Sequence, residues 1–246
     1  MADIDEVVGG LGRDPGFLPM ALVPNGIGAR RALAAGIESL IFVISMTDAH
    51  NLSNVRRQTA DSIADLATVA RDLGPAVDLR VGLASAFHCP FTGLVDEDVV
   101  MGNIERILRI RPGVEFAISD TTGMATPDHV GRLVRRAIGT FGTAARWCFH
   151  GHDTAGFGVA NVLSALEAGI TCFDAAAGGL GGCPFAPGAT GNIATEDLVY
   201  LFDRMGVRTG VDLGLMLDTA DYATSLPGAA PSGHARAIPR ARLMPA

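Results

Sequence analysis

A chain of 246 residues, 48% hydrophobic with 31 glycines, has enough apolar material for a large core, which excludes a disordered chain; its length fits two small domains or one α/β barrel. A formal charge of −7 and a pI near 5.3 argue against a nucleic-acid partner, because phosphate binding needs clustered positive charge. All 19 basic residues are arginine, so Schiff-base aldolases, pyridoxal-phosphate enzymes and Walker-type nucleotide sites are excluded: each needs a lysine. Any carbon–carbon bond chemistry here then requires a metal to stabilise developing negative charge.

No apolar run reaches bilayer-spanning length, and the opening MADIDEVVGG is too acidic for a signal peptide, so a cytoplasmic protein without a membrane partner is expected. The four cysteines, Cys89, Cys148, Cys172 and Cys183, form no CxxC pair and no disulfide framework.

Along the chain, short β-branched runs alternate with amphipathic stretches, the pattern of βα units around a parallel sheet. Strands are predicted at 17–24, 39–46, 78–86, 114–119, 146–151 and 171–177. In TADSIADLATVARDLG, Ile63, Leu66, Ala67, Ala70 and Leu73 share a helical face and Gly74 is the C-cap. Val130, Leu133, Val134 and Ile138 line a second helix. In a third, Thr195 is the expected N-cap, Glu196 and Asp197 meet the positive end of the helix dipole, and Leu198, Phe202 and Met205 form the apolar stripe before Gly206. About six βα units at a spacing of roughly 30 residues fall two short of a closed TIM (β/α)8 barrel. One barrel domain is expected over 1–218, with an irregular tail rich in Ala, Pro and Arg over 219–246.

The strongest chemical signal is CFHGHDT, where His150 and His152 stand two apart at the end of a strand, so both imidazoles face one way and can converge on one ion. Active sites of barrels lie at that end. Asp153 either orients a ligand or caps the following turn. Asp120 ends its own strand in ISDTTGMATP, as a catalytic carboxylate or as a cap of the βα turn. The loop GGLGGCPFAPGATGNIATEDLVY carries Cys183 between Gly182 and Pro184, where a thiol suits proton transfer, and Asn192, whose amide oxygen suits a hard cation or a helix cap. His88 and Cys89 also end a strand, but nothing requires them to be ligands. Arg56 and Arg57 could meet a ligand's phosphates or be solvated.

Taken together, GLGGCPFAPGATGNIATEDLVY, FHGHDTAGFGVAN and SDTTGMATP resemble the hydroxymethylglutaryl-CoA lyase family, and VPN at 23–25 and CPFTG at 89–93 fit the same pattern, over Met1 to about Asp218. The resemblance implies a metal-dependent TIM-barrel lyase that splits 3-hydroxy-3-methylglutaryl-CoA into acetoacetate and acetyl-CoA with Mg²⁺ or Mn²⁺. It implies that His150, His152 and Asn192 are metal ligands, that Cys183 protonates the enolate and that Asp120 assists deprotonation of the C3 hydroxyl. An acyl-CoA substrate and a homodimer are expected at the level of the family. The pathway, leucine breakdown or another acyl-CoA route, stays open, as does a related lyase or aldolase acting on a longer branched hydroxy acid.

One departure is at the N-terminus. The family's first strand carries an Arg-Asp-Gly motif, whose Asp binds the metal and whose Arg stabilises the enolate, and these 246 residues contain none. The opening residues resemble a stretch inside family sequences, after the second strand. The expectation is therefore a barrel without its first two strands, nearly inactive and weak in metal binding on its own, or a non-catalytic remnant.

Overall fold

The computed structural model describes residues 4–12, 16–74, 77–182 and 191–243. In chain order the elements are α1 (Ile4–Gly10), β1 (Met20–Val23), α2 (Gly26–Ala34), β2 (Ser39–Ser45), α3 (Asp48–Val55), α4 (Thr59–Leu73), β3 (Asp78–Ala84), β4 (His88–Cys89), β5 (Gly93–Leu94), α5 (Glu97–Ile110), β6 (Glu115–Asp120), α6 (Pro127–Phe141), β7 (Arg146–Gly151), α7 (Gly158–Glu167), β8 (Cys172–Asp174), α8 (Thr195–Arg204), α9 (Leu213–Thr224) and α10 (Arg240–Leu243). The six longer strands follow the order β1-β2-β3-β6-β7-β8, and β4 and β5 form a separate small hairpin. The chain forms two compact units, Met1–Ile118 with Ala137–Trp147, and Ser119–Arg136 with Cys148–Ala246.

In the first unit β2 lies parallel between β1 and β3, and β3 pairs in parallel with β6. Leu40, Phe42 and Ile44 alternate along β2 and are fully buried, as are Val81 and Leu83 of β3. Ile63, Leu66 and Ala70 of α4 are buried as the helical spacing predicts, and Val100, Ile104 and Ile107 of α5 add a second apolar face. Burying each such side chain contributes about 1.5–3 kcal/mol, so these stripes account for the layering of helix on sheet. Where β3 and β6 begin, Arg80 pairs with Glu115 and Arg146 lies 2.5 Å from Asp78.

The second unit holds the residues of interest. β7 pairs in parallel with β8 in the register Cys148↔Cys172, Phe149↔Phe173 and His150↔Asp174. Phe173 stacks against Phe202 of α8 at 5.5 Å between ring centroids.

Two expectations about this unit need correction. Thr195 is the first helical residue of α8 and Ala194 the N-cap, with no side-chain cap bond. Glu196 and Asp197 do not simply face the helix dipole: Glu196 accepts from the Gly178 amide at 3.0 Å, and Asp197 accepts from the amides of His234 and Ala235. Leu198 and Phe202 are buried, whereas Met205 is exposed. Residues 219–243, irregular by composition, contain the end of α9, a 3-10 turn at Ala235–Ala237 and α10. Leu217, Ala235 and Leu243 are buried together against Tyr200, Leu213 and Ile238. The Asp197 carboxylate satisfies two amides of the returning chain, a tertiary bond that composition cannot reveal. Among the described residues no helix is long and apolar enough to cross a membrane.

Candidate metal centre and active site

Residues His150 and His152 lie on the same side of the chain at the end of β7, their ring centroids 5.4 Å apart. His152 is buried, and His150 is about one-third exposed. The parallel register sets Asp174 beside His150, and its Oδ2 lies 3.4 Å from His150 Nδ1. A carboxylate at one ring nitrogen fixes the tautomer and turns the other nitrogen toward a ligand. Sequence reading missed Asp174, because only strand register brings it opposite His150.

Asn192 is brought to the same place by the backbone, through an antiparallel bridge between His152 and Asn192. Its Nδ2 donates to the carbonyls of Leu180 and Gly181 at 2.8 and 3.0 Å, which commits the nitrogen and leaves Oδ1 as the atom to offer a cation. The flanking amides continue the clamp: Asp153 donates to the Gly191 carbonyl and Ile193 to that of Gly151. Gly191 has to be glycine, since a Cβ there would run into the Gly179 carbonyl. Two imidazoles and an amide oxygen form a donor set suited to a divalent cation such as Mn²⁺ or Mg²⁺.

Asp120 ends β6 and is fully buried. Its Oδ2 accepts from the Ala125 amide at 3.0 Å and its Oδ1 from the Met124 amide at 3.2 Å, so the carboxylate caps the βα turn. Burial pushes this carboxyl above the usual carboxylate range, against weaker pulls downward from the amides of Ala125, Met124 and Gly123 and the Thr122 hydroxyl. The Asp120 carbonyl also accepts from the His152 amide at 3.2 Å, which ties the end of β6 to the residue that follows β7. Gly123 permits the close approach of the two loops, with φ 66° and Thr154 N only 2.6 Å from where a Cβ would stand. Asp153 behaves as a cap, its Oδ1 accepting from the Gly158 amide at 2.7 Å. Cys183 lies outside the described residues.

Sequence reading gave Glu196 only a helix-dipole role, whereas it is fully buried at the start of α8. Burial raises its carboxyl above the ordinary range, and the neighbouring Asp197 charge adds to this. Its place in a helical first turn hides this in the sequence. In the first unit, burial pushes the Cys89 thiol up, but hydrogen bonds from Thr47, Thr92 and Phe91 outweigh it and set the thiol below its usual value. Arg57 is paired with Asp65 at 2.5 Å, and Arg56 closes α3 in the left-handed conformation.

A parallel βα array with imidazoles, an amide and a buried carboxylate at the strand ends places this protein among barrel-type α/β folds with the candidate site at that end. The HMGL-like family model matches residues 18–222, and the chain belongs to that family. It is 40% identical to the (R)-citramalyl-CoA lyase of Chloroflexus aurantiacus over 209 residues, 85% of this chain and 65% of that protein, so it spans about two-thirds of that relative's length. It is 38% identical to the hydroxymethylglutaryl-CoA lyase YngG of Bacillus subtilis over 229 residues, 90% of this chain and 74% of that protein. The structure of an HMG-CoA lyase from Acinetobacter baumannii, in complex with coenzyme A and 3-methylmalate, superposes with a TM-score of 0.89 at 37% identity, covering 99% of this chain and 80% of that one. The fold is thus that of the TIM (β/α)8-type lyases, with six of the barrel strands present.

Proposed function

We propose that the chain serves an acyl-CoA carbon–carbon lyase reaction, the metal-assisted retro-aldol cleavage of 3-hydroxy-3-methylglutaryl-CoA to acetoacetate and acetyl-CoA. The observation that carries this reading is the convergence of His150 and His152 at the end of β7 with Asn192 bridged to His152. These three side chains would hold a divalent cation, which when bound supplies Lewis-acid polarisation of the substrate's hydroxyl and carbonyl oxygens.

The remaining work falls to protein groups. Asp174 holds the His150 ring in orientation. Asp120, whose burial raises its affinity for a proton, is suited to accept the proton from the C3 hydroxyl as the carbon–carbon bond breaks. Cys183, in the glycine-rich sequence GLGGCPFAPG, is the donor we assign to the acetyl-CoA enolate. These 246 residues contain no Arg-Asp-Gly motif, and the roles assigned here are those of the residues present.

A second reading has the same chemistry on another acyl group. The Chloroflexus relative is a citramalyl-CoA lyase, and a Pseudomonas aeruginosa relative, 32% identical, acts on 3-hydroxy-3-isohexenylglutaryl-CoA as well as hydroxymethylglutaryl-CoA. Side-by-side incubation of the three thioesters with Mn²⁺, followed by chromatography of the released CoA ester, tests both readings. Slow formation of acetyl-CoA from hydroxymethylglutaryl-CoA, lost in His152→Ala, is expected. Faster cleavage of another thioester moves the assignment to that substrate, and no cleavage of any contradicts the lyase reading.

A further inference from the structure

The β7–β8 pair carries a second group of metal-ligating side chains, one step back along the strands from His150. Cys148 and Cys172 are register partners, as are His150 and Asp174. Residues two apart on a strand share a face, so these four side chains stand together on one side of the pair. Both cysteines are thiols, Cys148 fully buried and Cys172 partly buried, and their Sγ atoms lie within 4.8 Å of each other. Cys148 Sγ donates to Asp174 Oδ1 at 3.5 Å, while Asp174 Oδ2 faces His150 Nδ1 at 3.4 Å. The two oxygens of one carboxylate are thus divided between a thiol and an imidazole.

These spacings suit a cation better than a disulfide. Neighbouring strands lie about 4.7–4.9 Å apart and their side chains project side by side, which holds the two Cβ atoms near that separation, beyond the ~3.8 Å of a disulfide. A tetrahedral zinc ion at about 2.3 Å from each sulfur sets the sulfurs about 3.8 Å apart, so the present pair needs to close by about 1 Å at most. The same tetrahedron places a carboxylate oxygen about 3.6 Å from a sulfur, close to the 3.5 Å between Cys148 Sγ and Asp174 Oδ1. Donor chemistry selects the ion: thiolates favour Zn²⁺ over Mg²⁺ or Mn²⁺. A bound cation also offsets the desolvation of thiolates at a buried position, and it is what deprotonates them.

We infer that Cys148, Cys172 and Asp174 form a second metal site, for a thiophilic divalent cation of the Zn²⁺ class, that staples β7 to β8. It is separate from the cation that His150, His152 and Asn192 would hold, and it does not depend on the acyl-CoA reaction. Three protein donors leave the fourth tetrahedral position to water. Because Asp174 reaches the thiol with one oxygen and His150 with the other, an ion here also fixes the carboxylate that orients the His150 ring.

The test is titration of the reduced, metal-free full chain with Co²⁺, followed by ultraviolet absorption, because a sulfur-to-cobalt charge-transfer band reports thiolate ligands and is absent with nitrogen and oxygen donors alone. Expected is such a band, removed by added Zn²⁺ and retained in about hundredfold more Mg²⁺. It should weaken in Cys148→Ser and in Cys172→Ser and vanish in the double variant. Asp174→Asn should keep the band and lower the affinity read from it at least about tenfold. Cys89→Ser, Cys183→Ser and His152→Ala should leave it unchanged, the last separating this site from the candidate centre. Far-ultraviolet circular dichroism and thermal melting establish that each variant is folded, and Cys172→Ser, at the partly buried position, decides alone where the Cys148 substitution unfolds the chain. Absence of the band in the reduced chain overturns the inference. So does a band of full strength in folded Cys172→Ser, or one lost in Cys89→Ser, Cys183→Ser or His152→Ala.

Discussion

Replacing Gly123 by alanine tests whether the close approach of the β6–α6 and β7–α7 loops positions the candidate site. Gly123 has φ 66°, and a Cβ there would lie 2.6 Å from Thr154 N, 2.7 Å from its Oγ1 and 2.8 Å from its Cβ. The first neighbour is backbone and cannot swing aside. A left-handed conformation costs a non-glycine residue about 1–2 kcal/mol, part of which the stiffer unfolded chain offsets by about 0.4–1 kcal/mol. Forcing a methyl into filled space adds about 1–3 kcal/mol. Gly156 in the same loop system provides the control, since it has φ 75° and nothing within 4 Å of its Cβ position. Gly156→Ala should therefore cost about 1 kcal/mol or less, and Gly123→Ala about 1–3 kcal/mol more. Urea unfolding of the three proteins measures both, and Mn²⁺ affinity should fall in Gly123→Ala alone because His152 follows the displaced contact. Equal destabilisation by the two substitutions, with Mn²⁺ binding unchanged, would refute the reasoning.

Two further outcomes follow from buried groups. Asp120 has a folded-state carboxyl raised above its ordinary value, so the stabilisation from its protonated form is complete below about pH 4 and is lost as pH rises through the raised value. Asp120→Asn removes this titration, and the fall in unfolding free energy with rising pH above about 4 should become shallower; a slope unchanged from the parent chain contradicts the burial argument. Leu217→Ala, in the cluster with Ala235 and Leu243, should cost about 2–5 kcal/mol in urea unfolding, whereas an irregular, solvated tail would give an effect below about 0.5 kcal/mol.

Much of the architecture is legible in the sequence where local and tertiary preferences agree. The run at 39–46 becomes β2, Ser39–Ser45, because its apolar and β-branched residues suit a central parallel strand, and α4 ends at Leu73 before Gly74 as its spacing requires. The β4–β5 hairpin escapes notice, since two residues per strand leave no period to detect. Thr195 fails as a cap because Glu196 and Asp197 take partners 18 and 38 residues away, at Gly178 and Ala235, which no local rule foresees. At the candidate site, the HxH pair is readable because i and i+2 share a strand face. Asp174 is not, since its role depends on the β7–β8 register. Asp120 shows the limit of motif reading: the same carboxylate that a barrel's chemistry would use also caps its own turn.

Electron paramagnetic resonance titration of Mn²⁺ into the 246-residue chain tests the central claim most directly, that His150, His152 and Asn192 hold a divalent cation. The account predicts one bound ion per chain, of modest affinity, with the affinity falling at least about tenfold in each of His150→Ala, His152→Ala and Asn192→Ala. Mn²⁺ bound equally well by the parent and all three variants would contradict it.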